Sequence, residues 1–394
     1  MLVKKYNMFL LSFSILWILY SLNQFAIVSG VKVFMLFIPS VLLVYLYQNI
    51  KLTIESKILL IFLLFIFFNQ FLNIFDSNSN IITVLTNNVR LVSVLLLVIP
   101  FYYLYNKNYK LFDNLFIISI LIVIVSNFYY YFTIYDHYER FRGTFGNPNE
   151  FALFLTFLIY FVLYYSNIYN INFKKKFFLK LFLMILLIAA SLLILISLSR
   201  SGIIIMLILY LFYYISIRKS IGFLSKLFLF FILILVLTYL YQIFSQEFLL
   251  LIERFTDSEG SVSTKTRLEQ ILAASNALND NLPHILFGNG TGITSDANWF
   301  GRYYETNSLN EVLRIHNSFM SLLVEDGIVG LGLYILFHLI IFIKIFNLNN
   351  SLKYLLLGYF LGAVLYSQMA YIVYFFPYWL SMVILSLHAE RLKK

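Results

Sequence analysis

The sequence predicts an all-α, polytopic membrane protein with about 12 transmembrane helices and one large extracytoplasmic loop. Of its 394 residues, 61% are hydrophobic and only 12% are charged, which is about half the charge of a soluble domain. Apolar runs long enough to cross a bilayer as helices recur along the chain. The period-2 alternation typical of a transmembrane barrel is absent from the sequence.

Composition also excludes several kinds of site. The chain has no cysteine, which rules out disulfides, thiol catalysis and cysteine-ligated metal centres. Its net charge is +10, but the basic residues are spread over short loops, where they set membrane topology. We therefore expect no nucleic-acid partner. The abundance of Lys, Asn, Ile, Phe and Tyr indicates an AT-rich bacterial gene.

The apolar runs define the predicted elements in order. An apolar run follows Lys4 and Lys5 without a cleavage site, so we interpret it as an uncleaved first helix. Nine helices are predicted in 1–244, an extracytoplasmic loop in 245–326 and three helices in 327–394. The predicted spans are 8–28, 33–49, 57–75, 88–106, 114–134, 149–170, 177–198, 201–217, 226–244, 327–346, 353–375 and 377–390.

The distribution of basic residues supports this topology. With both termini in the cytoplasm, 18 of the 28 basic residues fall on the inner side, and all but two of these are lysine. This bias follows the positive-inside rule. The outer set is mostly arginine, whose planar guanidinium suits bidentate binding of phosphate or carboxylate. Its members are Lys32, Arg90, Arg140, Arg142, Arg200, Arg254, Lys265, Arg267, Arg302 and Arg314.

The long polar stretch from about 246 to 330 is where we expect chemistry. An amphipathic helix is predicted over 266–279, with a capping box at Thr266 and Glu269 and with Arg267 in its first turn. The adjacent Glu325-Asp326 would be costly in hydrocarbon, so the tenth span should begin near Gly327. His316 is then predicted to lie two to three turns outside that span.

Two outer turns carry arginines beside small and amide residues. Arg140, Arg142, Asn147 and Asn149 surround a glycine-rich turn, which could cradle an anion or be an ordinary turn with interfacial charges. Arg200 lies in Ser199-Arg-Ser-Gly202. If buried it would need a partner or ligand, although it could instead extend to lipid headgroups.

His316-Asn317, followed by Gly327 and Gly330, is the most specific pattern. Histidine can act as a base near neutral pH, and Arg314 lies two residues before it. The other histidines, His137, His284, His338 and His388, are interpreted as structural. The stretch 288–292 is interpreted as a structural turn, because it lacks the lysine and βαβ context of a nucleotide loop. Asp257 and Glu259 are interpreted as a solvated loop, so no metal site is predicted.

Together these motifs resemble the O-antigen ligase/polymerase superfamily of bacterial envelope glycosyltransferases. The resemblance extends over nearly the whole chain and is carried by the number of spans, the large outer loop and the motifs in order. Those motifs are Arg142-x-x-Phe-Gly-Asn147-Pro-Asn149, Ser199-Arg-Ser-Gly202, Arg267, the glycine-rich 288–292 and His316-Asn317 with Gly327 and Gly330.

The resemblance implies a GT-C-like fold and glycan transfer from an undecaprenyl-pyrophosphate donor, with inverting chemistry that needs no metal or other cofactor. It implies that Arg200 and Arg267 bind the pyrophosphate, with Arg142 and Arg314 as further candidates. His316 would take the proton from the acceptor hydroxyl. The implied partners are the lipid-linked oligosaccharide, a glycan acceptor, membrane lipid and a chain-length regulator. The implied location is the bacterial cytoplasmic membrane, with the active site facing the periplasm or exterior.

Several functions remain open at this level. A polymerase of O-antigen or capsule repeat units is favoured by the Gly-Asn-Pro-Asn turn and the AT-rich composition. Many polymerases place glycine eleven positions after an outer arginine, a spacing absent here, so an O-antigen ligase is the next hypothesis. A lipid-linked glycan transporter would need polar residues at mid-membrane and internal repeats, and neither is evident. A structural scaffold would leave the outer arginines and His316 without a role.

Overall fold

The computed structural model describes 14 stretches of the chain. They are residues 26–28, 31–32, 53–73, 105, 108–133, 141–145, 147–169, 177–217, 259–278, 282–295, 297–303, 315–370, 372–373 and 375–393. The predicted spans 33–49 and 226–244, together with nearly all of 8–28 and 88–106, lie outside the described residues, so the number of twelve stays a prediction.

The described residues are almost entirely helical. Eleven α-helices are present: α1 (Ile54–Asn73), α2 (Tyr109–Thr133), α3 (Pro148–Ile168), α4 (Phe177–Ile196), α5 (Arg200–Ile217), α6 (Glu259–Leu278), α7 (Leu282–Phe287), α8 (Ala297–Phe300), α9 (Ser318–Phe346), α10 (Lys353–Met369) and α11 (Phe376–Lys393). Two 3₁₀ turns cover Ile293–Ser295 and Gly301–Tyr303. A short antiparallel ladder joins β1 (Ala26–Val28) to β2 (Val31–Lys32).

Five described helices are long and apolar enough to cross a membrane: Tyr109–Thr133, Pro148–Ile168, Phe178–Ile196, Arg200–Ile217 and Ser318–Phe346. All five correspond to predicted spans, and the chain is a multi-pass membrane protein. Helix α11 fills the middle of the described bundle, since every side chain from Phe376 to Ala389 is buried. It is polar for such a position because it carries Tyr378, His388 and several serines.

Charged groups gather where α1, α2, α9 and α11 meet at one end of the bundle. Lys344 near the end of α9 pairs with the buried Glu55 of α1 and, at 2.6 Å, with Glu390 of α11. Arg391 pairs with the buried Asp113 of α2 at 2.9 Å. Each pair lies at the end of the bundle that the predicted topology places in the cytoplasm.

Three local predictions are wrong. The last residues of predicted span 8–28 form β1 rather than helix. Helix α10 ends at Met369, short of the predicted 375, because Ala370 turns to extended backbone. Helix α6 begins at Glu259 rather than at Thr266. After Gly260 nothing in the intervening sequence breaks a helix, so Thr266 lies inside it and the capping box does not form.

Candidate functional site

Asn317 fixes the start of α9. Its backbone is extended (φ −140°), and its Oδ1 accepts hydrogen bonds from the amides of Phe319 (3.0 Å) and Met320 (3.1 Å). An asparagine in this N-cap position satisfies amides that have no partner within the helix. The same side chain donates from Nδ2 to Oε1 of Gln368 at 3.2 Å. Asn317 therefore both begins α9 and joins it to the end of α10.

The backbone of His316 is held by a helix far away in the sequence. Its amide donates to Oε1 of Gln270 in α6 at 3.1 Å. Gln270 is buried, as is the neighbouring Ile315, whereas the side chain of His316 is half-buried. The imidazole is therefore attached to a fixed backbone and stays accessible from one side.

The α10–α11 connection also contacts the start of α9. We call this meeting point of residues 316–318 with Gln270, Gln368 and the α10–α11 connection the His316 junction. The hydroxyl of Ser318 donates to the carbonyl of Ala370 at 2.8 Å and accepts from the amide of Ile372 at 3.0 Å. These bonds give the extended backbone after Met369 the partners that a continued helix would have supplied. They explain why α10 stops before the end of the predicted span.

Helix α9 folds back on itself at Gly327. This residue has φ 66° and ψ −169°, so it interrupts the helix. The ring of Phe319 lies 5.5 Å from that of Tyr334, although fifteen residues of straight helix would separate them by roughly 22 Å. The segment 318–326 therefore runs back alongside 328–346. The candidate membrane span includes both parts and begins at Ser318, so the start of the span near Gly327 stays a prediction. The fold-back contradicts the predicted place of His316, which lies beside 328–346 rather than two to three turns beyond it.

The glycine-rich turn 288–292 supports this fold-back. The amides of Asn289 and Gly290 donate to the carbonyls of Val324 (2.8 Å) and Glu325 (2.9 Å). A Cβ on Gly327 would lie 2.3 Å from the carbonyl oxygen of Leu286, and one on Gly288 would meet the backbone of Glu325. Both glycines also have positive φ. The turn is thus structural, as predicted from its sequence.

The role of Glu325 and Asp326 was not predicted from the sequence. Both side chains are fully buried at the fold-back, where the hydroxyls of Thr294 and Thr291 donate to one carboxylate each. Asn69 of α1 donates to the carbonyl of Glu325 and to Oδ1 of Asp326. Buried carboxylates need such donors because isolated charges are costly to bury. The two residues hold the segment 291–294 against α1, and only tertiary contacts identify these partners.

The first arginine-bearing turn is packed on the end of α2. Gly143 has φ 56°, and the amide of Thr144 donates to Oδ1 of Asn127 at 3.0 Å. Arg142 itself is exposed. The ring of Phe145 lies 6.1 Å from that of Phe375, so this turn contacts the same α10–α11 connection that holds Ser318.

The second arginine-bearing turn is bonded to the first one. Asn147 caps α3 by accepting from the amide of Asn149 at 2.8 Å. Oδ1 of Asn149 in turn accepts from the hydroxyl of Ser199 at 2.8 Å, and Ser199 accepts from the amide of Gly202 at 3.2 Å. Arg200, half-buried, is the first residue of α5.

The positions of Arg200 and of the His316 junction can be compared along the axis of helix α10. Its neighbour α5 runs antiparallel to it: a Cβ on Gly358 would touch Phe212, and one on Gly362 would touch Ile205. Continuing this register for about five residues places Arg200 level with about residue 367 of α10, within roughly one turn. Gln368, at that level, bonds Asn317. Arg200 and the His316-Asn317 junction therefore lie at the same height along α10.

Helix α6 packs through a row of small residues. Ala273, Ala274 and Ala277 are buried, whereas Ile271 and Leu272 are exposed. The alanines form a second, smaller core with residues that follow the glycine-rich turn and with residues at or before the fold-back, namely Ile293, Trp299, Phe300, Ile315 and Val324. Alanine allows α6 to approach closely enough for Gln270 to reach His316.

The remaining predicted site residues are Arg267, Arg140 and Arg314. Arg267 lies in α6, roughly two turns beyond its start at Glu259, not in the first turn as predicted. Arg140 and Arg314 lie outside the described residues, as does His137.

Two of the remaining histidines are structural, as predicted. His338 bonds the carbonyl of Tyr334 (2.7 Å) and the hydroxyl of Tyr378 (2.6 Å). His388 bonds the hydroxyls of Tyr160 (2.7 Å) and Tyr105 (2.9 Å).

Comparison with known proteins agrees with the resemblance seen in the sequence. No curated protein matches the chain. A family model described as O-antigen ligase matches residues 184–335, a stretch that contains Arg200, α6, the glycine-rich turn and the His316 junction. This match confirms the predicted resemblance: residues 184–335 are similar to the O-antigen ligase family, and through them the chain is similar to the O-antigen ligase/polymerase superfamily.

Proposed function

We propose that this protein is a membrane glycosyltransferase that polymerises undecaprenyl-pyrophosphate-linked oligosaccharide units. The reaction takes place on the outer face of the cytoplasmic membrane, inverts the anomeric centre and uses neither metal nor nucleotide. The observation that carries the proposal is the common height of Arg200 and the His316-Asn317 junction along α10. A base and a cation at one level can act on opposite sides of a reacting anomeric carbon.

In this mechanism His316 accepts the proton of the acceptor hydroxyl as its oxygen bonds the anomeric carbon. The bond from that carbon to the pyrophosphate oxygen breaks, and the leaving group departs as undecaprenyl pyrophosphate. Arg200 stabilises the negative charge that develops on the leaving group. Because a cation supplies this stabilisation, no general acid is needed.

The other proposed site residues either bind the pyrophosphate or stabilise the structure around the site. Arg267, Arg142 and Arg314 are the further cations proposed for the pyrophosphate, and Arg140 is a supporting cation. Asn147 and Asn149 support through the turn that they form before Arg200, and Asn317 through its cap on α9. The recessed position of His316 suits a lipid-linked donor, which arrives from within the membrane.

A second candidate is an O-antigen ligase, which would transfer the finished glycan to lipid A core or to another acceptor. The family description of the matched stretch favours it. The two candidates share donor, base and cations and differ in the acceptor, so one assay separates them.

The test uses purified full-length protein in nanodiscs with undecaprenyl-pyrophosphate repeat unit and no added metal. Wild type should give a ladder of longer lipid-linked chains. We expect His316→Ala to lower the rate about 10²- to 10⁴-fold, the usual contribution of a positioned base, and Arg200→Ala to lower it about 10²- to 10³-fold.

Two matched variants control for general damage: His284→Ala in α7 and Arg302→Ala at an exposed arginine of the outer region. Both should retain wild-type rates. Transfer only after lipid A core is added would identify a ligase. Unchanged rates in His316→Ala and Arg200→Ala under both conditions would contradict the proposed site.

A further inference from the structure

Helix α7 exposes much of its apolar surface. Its sequence is Leu282-Pro-His-Ile-Leu-Phe287, and none of its six residues is buried. The side chains of Leu282, Leu286 and Phe287 are 70%, 41% and 46% exposed, and we call these three side chains the α7 patch. Large apolar side chains grouped on a surface mark a site of contact with another apolar body. The proposed glycan transfer uses none of them.

The glycine-rich turn that follows α7 is arranged in the opposite way. Residues 288–294 are all buried, and the amides of Asn289 and Gly290 donate to the carbonyls of Val324 and Glu325. A loop that faced water would expose its polar turn and bury its large apolar side chains. A segment that faces lipid must instead satisfy irregular backbone inside the protein, whereas its apolar side chains can point outward. The segment 282–294 has the second arrangement.

The α7 patch adjoins the exposed apolar side of α9. A Cβ on Gly327 would lie 2.3 Å from the carbonyl oxygen of Leu286, so α7 touches α9 at its break. Directly beyond the break, Ile328 and Val329 are exposed. Further exposed apolar side chains follow along this candidate membrane span, namely Ile335, Leu336, Leu339, Ile343 and Phe346. The apolar surface that α9 offers to lipid therefore passes onto α7 at the break.

The length of α9 beyond its break indicates the level of α7 in the membrane. At 1.5 Å per residue, 328–346 is roughly 28 Å long, close to the hydrocarbon thickness of about 30 Å. Lys344, near the far end of this segment, is paired with Glu55 and Glu390. Gly327, at the near end, then lies at the opposite boundary of the hydrocarbon, and α7 lies beside it. Helix α7 contains no Asp, Glu, Lys or Arg, so lipid contact there buries no charge from these residue types.

We propose that α7 docks into the outer leaflet, on the His316 side of the bilayer, as a short interfacial helix. Leu282, Leu286 and Phe287 lie among the acyl chains of the lipid, just below the headgroups, as the apolar faces of interfacial helices do. Helix α7 does not span the membrane. Its docking holds the turn 288–294, and with it Thr291 and Thr294, against the fold-back of α9. This inference does not depend on the proposed reaction.

The test uses single-cysteine variants of the full-length protein in phospholipid nanodiscs. Because the chain has no cysteine, a spin label can be attached at one introduced site without removing any native thiol. Leu286→Cys and Phe287→Cys probe the α7 patch. Leu339→Cys, at an exposed position of α9, is the reference for lipid, and Ser351→Cys, at an exposed position of the loop after α9, is the reference for water. EPR power saturation compares accessibility to oxygen, which concentrates in lipid, with accessibility to a water-soluble nickel chelate.

Both α7 labels should show an oxygen-to-nickel accessibility ratio about fivefold or more above that of Ser351→Cys and below that of Leu339→Cys, because an interfacial helix is shallower than the bilayer centre. A ratio equal to that of Ser351→Cys would place α7 in water and overturn the proposal. Low accessibility to both reagents would mean that another segment of this chain covers α7, which would also overturn it. Leu282→Cys, at the other end of the helix, gives the same measurement if either variant fails to fold.

Discussion

The hydroxyl of Ser199 donates a 2.8 Å hydrogen bond to Oδ1 of Asn149, joining the two arginine-bearing turns of this membrane protein. Asn149 belongs to the turn that carries Arg142, and Ser199 directly precedes Arg200. The start of α5 is thereby fixed relative to the start of α3, and Arg200 is held by a contact that neither turn could provide alone.

Asn149→Ala should therefore lower glycan transfer about fivefold to tenfold while changing the free energy of unfolding by only about 1 kcal/mol, the usual net value of one neutral hydrogen bond. The rate of lipid-glycan elongation measures the first effect and thermal unfolding the second. Asn114→Ala, which removes a similar acceptor from Tyr165 at the other end of α3, is the control. Equal losses in the two variants would mean that the Ser199 bond has no special role.

Gln270 should act as a positioning residue for His316. Gln270→Met keeps the side-chain volume but removes the oxygen that accepts from the amide of His316, leaving that amide without this partner. We expect the rate of transfer to fall about tenfold and KM to change little, because the substrate still binds. Asn276→Ala on an exposed part of the same helix should leave both unchanged. A KM effect without a rate effect would argue against positioning.

Gly327→Ala should strongly destabilise the protein. The added Cβ would lie 2.3 Å from the carbonyl oxygen of Leu286, at a φ of 66°, which costs about 1–2 kcal/mol before the clash is counted. Gly332→Ala in the same helix is the control, since nothing lies within 4 Å of its Cβ. That variant should gain about 0.5–1 kcal/mol. Thermal unfolding in detergent, followed by tryptophan fluorescence, compares them, and similar stabilities would contradict the fold-back.

Lys344→Met should destabilise the protein more than the double variant that also carries Glu55→Gln. Glu55 is fully buried and Lys344 is its cationic partner. Removing only the lysine leaves a buried carboxylate without that partner, which costs about 2 kcal/mol or more, whereas neutralising both removes the penalty. Unfolding of the two single variants and the double variant closes a thermodynamic cycle. Purely additive effects would show that the pair is not coupled.

The sequence by itself determined the class of protein and the residues worth testing. Long apolar runs require membrane helices because the backbone has no other way to satisfy its hydrogen bonds in lipid. Helix starts at Pro148, Arg200 and Ser318 follow from capping by Asn147, Ser199 and Asn317, which is local chemistry that the sequence displays. The sequence also predicted the start of a membrane span near Gly327, because Glu325 and Asp326 would be costly in hydrocarbon, but it did not predict the break of α9 there.

Only the tertiary structure decided where these elements meet. The fold-back that recesses His316 depends on the approach of 288–290 to 324–327, and nothing near Gly327 in the sequence specifies that partner. Gln270, Gln368 and Asn69 were missed because single polar side chains in helices carry no periodic pattern. The sequence assigned no face of α6 to the protein core, whereas the structure buries Ala273, Ala274 and Ala277 there. Contacts between residues distant in sequence depend on shape, and hydrophobic patterning does not encode shape.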